Sequence, residues 1–156
     1  MEKYPIIGVL DNVRSMHNVG AIFRSADAFR VAKLYLCGIT PTPPHREIHK
    51  TALGAEESVD WEYAEDTAAL LQQLKENGCY IAALEQTEKS VSLPDFQLPN
   101  QPIVLVFGHE VEGVAQAAIN LADVTLEIPQ FGTKHSLNVS VAAGIALYQV
   151  AVRVEK

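Results

Sequence analysis

The chain of 156 residues is poor in most of the signatures that mark specialised proteins. It has two cysteines, Cys37 and Cys79, and no C-x-x-C. Neither a disulfide framework nor a thiolate zinc site is written into it, and both read as buried thiols of a reducing compartment. The G-x-G-x-x-G fingerprint, the Walker loop and the G-x-S-x-G elbow are absent. His45 and His49 stand four apart, but Arg46 replaces the glutamate of a zinc-protease helix, so no metal is expected. The longest apolar stretch, Val139–Val152, is broken by Ser140 and Gln149. It is shorter than the roughly 20 residues that cross a bilayer. The start, MEKYPIIGVLD, has no apolar h-region and no small-residue cleavage site, which points to a cytoplasmic protein.

Positive charge is also scarce, with 12 Lys and Arg against 19 Asp and Glu and a net charge of −7. That balance disfavours a polyanionic partner, since phosphate binding needs Lys and Arg. Its distribution says otherwise. Residues 1–50 hold seven Lys or Arg (Lys3, Arg14, Arg24, Arg30, Lys33, Arg46, Lys50) and four acids, whereas residues 51–156 hold five bases and fifteen acids. The first third is therefore the place to seek an anion site, although a solvated surface produces the same count.

What is present is an alternation of strand and helix patterns in a chain that is 48% hydrophobic. Six segments read as strands: Ile6–Leu10, Lys33–Cys37, Ser58–Tyr63, Tyr80–Leu84, Ile103–Phe107 and Val124–Ile128. Between them, Val19, Ile22, Phe23, Ala26 and Phe29 recur at helical spacing, with Asn18 placed to cap. Asp66 opens a helix with face Leu70, Leu71 and Leu74, which Gly78 closes. A helix is expected near Val114–Leu121. The last, Leu137–Val152, is apolar on nearly every side and belongs in a core or a subunit interface. Residues 38–46 and 85–101 read as connections. The pattern predicts one α/β domain over residues 1–156 with a mostly parallel six-stranded sheet flanked by helices.

Three segments look unlike ordinary packing. Asn12–Phe29 follows the first strand, where α/β sheets place ligands. Arg24 points away from the apolar stripe and reads either as a solvated partner of Asp27 or Asp11 or as a contact to a phosphate or reacting hydroxyl. Phe107–Val114 (FGHEVEGV) follows the most apolar strand, and Gly108 and Gly113 let backbone approach a ligand. Glu110 reads as a general base, a ligand contact or a helix N-terminal carboxylate. Ile128–Ser140 (IPQFGTKHSLNVS) turns at Gly132 into the last helix, with Ser136 or Asn138 as its cap.

In this order the segments resemble the SpoU (TrmH-like) branch of the SPOUT RNA 2′-O-ribose methyltransferases. The likeness runs from about Ile7 to Val152. It rests on N-x-x-x-x-x-R at Asn18 and Arg24, on FGHEVEGV, and on I-P-x-x-G-x-x-x-S-L-N-V-S-V-A from Ile128 to Ala142. His109 stands where the family often has Asn, Gln or Pro, and Gln149 follows Tyr148 where the family often has Glu. The resemblance implies a C-terminal deep trefoil knot over roughly residues 80–152, which no periodicity would suggest, because threaded chains are nearly absent among proteins. It implies S-adenosylmethionine as donor, held by backbone at Leu84, Glu85, Gln86, Gly108, Ile128 and Leu137, and a homodimer built on the last helix. It implies methyl transfer to a ribose 2′-hydroxyl of RNA without metal or membrane. Arg24 would anchor the adjacent phosphate and polarise the hydroxyl, since it is too basic to act as a free base, with phosphate-assisted deprotonation as the other route. Asn18 would orient Arg24 or the ribose, and Glu110, Ser136 and Asn138 would position Arg24 and the target nucleotide.

Arg14, Arg24, Arg30, Arg46 and Lys50 are the expected RNA contacts. No separate RNA-binding domain is expected, and single-domain relatives make tRNA the leading substrate over ribosomal RNA. Two other readings stand beside this one: a non-catalytic RNA-binding protein on the same scaffold, and a nucleotide-using enzyme with an open doubly wound sheet.

Overall fold

The computed structural model describes residues 2–134 and 136–156. Its strands are β1 (Tyr4–Asp11), β2 (Val31–Cys37), β3 (Trp61–Ala64), β4 (Tyr80–Leu84), β5 (Val91–Ser92), β6 (Ile103–Gly108) and β7 (Val124–Glu127). Its helices are α1 (Met16–Ala28), α2 (Arg46–Ala52), α3 (Ala55–Ser58), α4 (Thr67–Glu76), α5 (Gln116–Leu121) and α6 (Val139–Glu155). The sheet runs β3-β2-β1-β6-β4-β7-β5, and every pairing is parallel.

The sheet thus has seven strands where six were expected. The seventh, β5, is a two-residue edge strand inside the proline-bearing connection, too short to show any alternation. The remaining strand readings hold to within a few residues, the largest shift being that Ser58 ends α3 and β3 begins at Trp61.

β6 sits at the centre of the sheet and is buried along its whole length, as a continuous β-branched and aromatic run requires. Its side chains alternate between two cores. Ile103, Leu105 and Phe107 pack with α1 and α6, while Val104 and Val106 pack with α4 and α5. Each such side chain contributes roughly 1.5–3 kcal/mol by leaving water, so this strand anchors both layers. On α6, Ala143, Ala146, Leu147, Val150 and Ala151 face the core, while Val141, Ile145 and Tyr148 remain exposed. No helix among the described residues is long and apolar enough to cross a membrane.

Two local readings need correction. Ser15, not Asn18, caps α1: its hydroxyl accepts from Asn18 N, and the helix starts a turn earlier than the apolar stripe suggests. Cys37 is buried, with burial pushing its thiol up to about 11, but Cys79 is only half-buried. The two are free thiols.

Candidate active site

The carboxyl ends of β1, β4, β6 and β7 meet at one edge of the sheet, where α/β folds bind ligands. Four acceptor side chains fasten the loops there. The carboxylate of Glu110, just past β6, accepts from Arg14 N and Ser15 N at 2.9 Å and from Asn18 Nδ2 at 3.0 Å. Burial pushes this carboxyl up, but the bonds from Asn18, Ser15 and Arg14 outweigh it and hold Glu110 below the usual carboxylate range. Asp11, buried at the end of β1, accepts from Thr67 Oγ1 at 2.7 Å and from Ala115 N at 2.9 Å. Glu85 Oε2 accepts from Val114 N at 2.7 Å. The His109 ring nitrogen Nδ1 accepts from Val111 N at 3.0 Å and Glu112 N at 3.1 Å.

The 108–114 loop is tight for a steric reason as well. His109 and Gly113 exchange both backbone hydrogen bonds, at 3.1 and 2.9 Å. A Cβ on Gly108 would run into the backbone of Gly113 and Val114. Gly113 holds φ +73°, and a side chain there would also meet the Glu85 carboxylate.

Behind this loop lie two adjoining cavities of about 220 and 350 Å³, which share Leu84, Glu85, Ser136, Leu137 and Ala142. The six residues expected at the donor site line them: Leu84, Glu85 and Leu137 in both, Gly108 in the first, Gln86 and Ile128 in the second. Glu110 also lines the first. Asn138 is the N-cap of α6, accepting from Ser140 N at 2.8 Å, which leaves Ser136 of the two expected caps free to face the cavities. His135, in the same segment, lies outside the described residues.

The basic residues separate. Asn18 is 8% exposed and tied to Glu110. Arg24, nearly two turns further along α1, is exposed and lines a groove of about 530 Å³ with Ser25, Phe29, Lys50 and Thr51. Among the described residues neither Asp27 nor Asp11 pairs with it, and Glu110 bonds Asn18 rather than Arg24. Arg46, one turn before Lys50 on α2, lines a different cavity. Arg14 lies in the loop fastened by Glu110. Arg30 stacks on the Tyr4 ring, 5.4 Å from its centre, at the opposite edge of the sheet. The five expected RNA contacts therefore do not form one patch.

Asp11, Ser15, Thr67 and the Glu85 and His109 side chains are the structural residues that sequence reasoning did not pick out. Only Asp11, an acid at the end of an apolar strand, carried a visible signal. Among the described residues no group of three or more His, Cys, Asp or Glu is placed to hold a metal ion.

Residues 5–148 match the SpoU rRNA Methylase family. The chain belongs to that family. It is 34% identical over 154 residues to a 23S rRNA (guanosine-2′-O-)-methyltransferase of Ralstonia nicotianae, covering 98% of this chain and 60% of that protein's length. The AdoMet-bound rRNA methyltransferase from Sinorhizobium meliloti superposes with a TM-score of 0.89 at 28% identity, over 97% of this chain and 57% of its own. A structure solved for the 2-OH methylation of C/U34 on tRNA has a TM-score of 0.81 at 28% identity, over 97% of this chain and 98% of its own. In SpoU terms, the glycine-framed loop and the segment before α6 wall one cleft in this member, and the arginine motif lies along α1, outside it.

Proposed function

We propose that the protein methylates the 2′-hydroxyl of a ribose in RNA, with S-adenosylmethionine as donor. The observation that carries this reading is the Glu110 carboxylate, which fastens Asn18 and the start of α1 to the glycine-framed loop beside the cleft. The arginine-bearing helix is thereby registered against the donor side before any ligand arrives, and such prior alignment is a large part of the rate of a displacement reaction.

The cleft fits an adenosyl donor. Its walls mix aliphatic side chains (Leu84, Ile128, Leu137, Val139) with acids (Glu85, Glu110, Glu112, Glu127) that suit a cationic sulfonium, and at Gly108 even one methyl group would collide with facing backbone, so a ligand there meets main chain. Leu84, Glu85, Gln86, Gly108, Ile128 and Leu137 would hold it. When bound, S-adenosylmethionine supplies an electrophilic methyl group on a sulfonium. The chain's own residues do the rest. Arg24 binds the phosphate next to the target ribose and polarises the 2′-hydroxyl, whose proton passes to that phosphate or to solvent as its oxygen takes the methyl group and the carbon–sulfur bond breaks. Asn18 and Glu110 fix the start of α1, Ser136 faces the target nucleotide, and Asn138 holds α6 in place. Deep knotting of residues 80–152 accords with α6, which leaves β7 near the sheet edge and returns to pack on α1, β1 and β6.

A homodimer completes the proposal. Leu137, Val141, Ile145 and Tyr148 form an exposed apolar stripe, and Tyr148 meets Phe29 of α1 edge-on at 5.6 Å. The stripe and the Arg24 groove are thus one continuous surface, so a second copy seated on it lies beside Arg24. Transfer RNA is the favoured substrate, because the neighbour matched over nearly both whole lengths acts on tRNA; ribosomal RNA is the alternative. Free thiols and an RNA substrate suit a cytoplasmic location. Incubating total RNA with labelled donor, then mapping the modified nucleotide, tests the reading. Label at a ribose 2′-oxygen is expected; donor binding with no label in any RNA would leave a non-catalytic RNA-binding role.

A further inference from the structure

The short helix α2 separates two cavities. On one side Lys50 and Thr51 join Arg24 in the groove described above. On the other, Arg46 and His49 line a cavity of about 550 Å³ closed by Pro43, Pro44 and Trp61. Trp61 is the only tryptophan of the chain and is partly exposed on the edge strand β3. Glu56 forms part of the wall. Its Oε2 lies 2.8 Å from His49 Nδ1, whereas its Oε1 is buried and has no hydrogen-bond partner among the described residues. Oε1 is closed off from solvent as well, so the exposed Glu57 is the carboxylate of the lining that a ligand can reach.

We propose that this cavity binds a nucleobase of single-stranded RNA, next to the nucleotide whose ribose Arg24 engages. The inference rests on the RNA-directed function above. A flat ring stacks on Trp61, the exposed Glu57 carboxylate of the lining accepts an N–H from the base edge, and Arg46 meets a phosphate as the strand crosses α2 toward Lys50 and Arg24. The acids Glu56 and Glu57 disfavour a bare phosphate inside the cavity but suit the amino and imino groups of a base. Continuity with the Arg24 groove, one helix away, favours RNA over a peptide.

The lone tryptophan makes the test direct. Wild-type protein is titrated with a short mixed-sequence single-stranded RNA while its intrinsic fluorescence is followed. Saturable quenching is expected, and Arg46→Ala weakens it. Trp61→Ala should raise the KM for RNA roughly 5- to 150-fold, the size of one lost base–aromatic stack, with kcat retained. Trp61→Phe restores most of the loss. Trp61 also packs against the core, so Trp61→Phe and the exposed Arg46→Ala carry the test if Trp61→Ala does not fold. Absence of quenching up to RNA concentrations that saturate a filter-binding assay overturns the proposal, as does a wild-type KM for both Trp61→Ala and Arg46→Ala. Methyl transfer by the wild type is read separately, and its absence counts against the catalytic reading rather than against this pocket.

Discussion

At the carboxyl edge of the sheet, Glu110, Asp11 and Glu85 each accept hydrogen bonds from the backbone of another segment, and His109 from the backbone of its own turn. On the α1–α2 face, Arg24 makes no hydrogen bond or ion pair among the described residues, and Lys50 is held only by Glu47 at 3.1 Å on its own helix. The first region is finished without a ligand, and its polar groups are consumed in shaping backbone. The second is unfinished, with its cations presented to solvent. A cleft of the first kind suits a ligand recognised by shape and main chain, and a face of the second kind suits a ligand that brings its own charge. The acidic total of the chain is therefore uninformative about its partner, because the acids that matter point inward to amides and the bases that matter point out.

If the two regions do separate jobs, they separate under mutation. Arg24→Ala should lower methyl transfer about 100- to 1,000-fold, the loss seen when one preorganised donor to developing charge is removed. Donor affinity by calorimetry and thermal stability should stay near wild type, since the side chain is exposed and unbonded. Wild-type turnover would dissolve the comparison. Gly108→Ala is the reciprocal experiment. Its new methyl meets the Gly113–Val114 backbone, and overpacking strain of roughly 1–3 kcal/mol predicts donor binding weaker by about 5- to 150-fold. RNA binding should be untouched, and an unchanged donor affinity would show that the loop is less fixed than its hydrogen bonds imply.

The sequence made the finished region more legible than the unfinished one. The cleft is built from strand ends and the loops that follow them, and a strand end is where a periodic run stops. Leu84, Gly108 and Ile128 stand at or next to strand ends, but it is the family resemblance that groups them, with Leu137 before α6, as one donor site. The partner of Glu110 could not, because Asn18 lies 92 residues away and only the register of α1 against β6 decides which helix face it meets. Counting charge also grouped Arg30 with Arg24. Arg30, just past the helix at φ +56°, folds over Tyr4 and does not line the groove that Arg24 shares with Phe29. The helix α2 was missed because Arg46–Ala52 is too short for a period to declare itself, yet it divides the basic residues into two cavities.

Glu110 joins the two regions, and its effect should be intermediate. Glu110→Gln keeps the shape but turns one acceptor oxygen into an amide nitrogen that faces N–H groups. A loss of about 10-fold in kcat/KM is expected for one charge-assisted hydrogen bond at a partly exposed site. The wild-type carboxyl is held below its ordinary value, so its contribution is complete above the usual glutamate range near pH ~4.3 and fades only as pH falls through the lowered value. Loss of the Glu110-dependent activity well above that pH would mean another group controls the loop.

The smallest effect discriminates most finely within the basic third. Replacing Lys50 by Ala removes one cation from the Arg24 groove and should reduce the slope of log affinity against log salt by about 1, with a modest loss of RNA affinity. Arg30→Ala removes the same charge from the chain, but Arg30 lies over Tyr4 at the amino edge of the sheet and lines neither cavity. Its slope should match wild type. The pair has equal net charge and differs only in position. Equal slopes for the two variants would mean that RNA responds to the overall charge of the first third, and unequal slopes that it follows the path past Arg24 across α2.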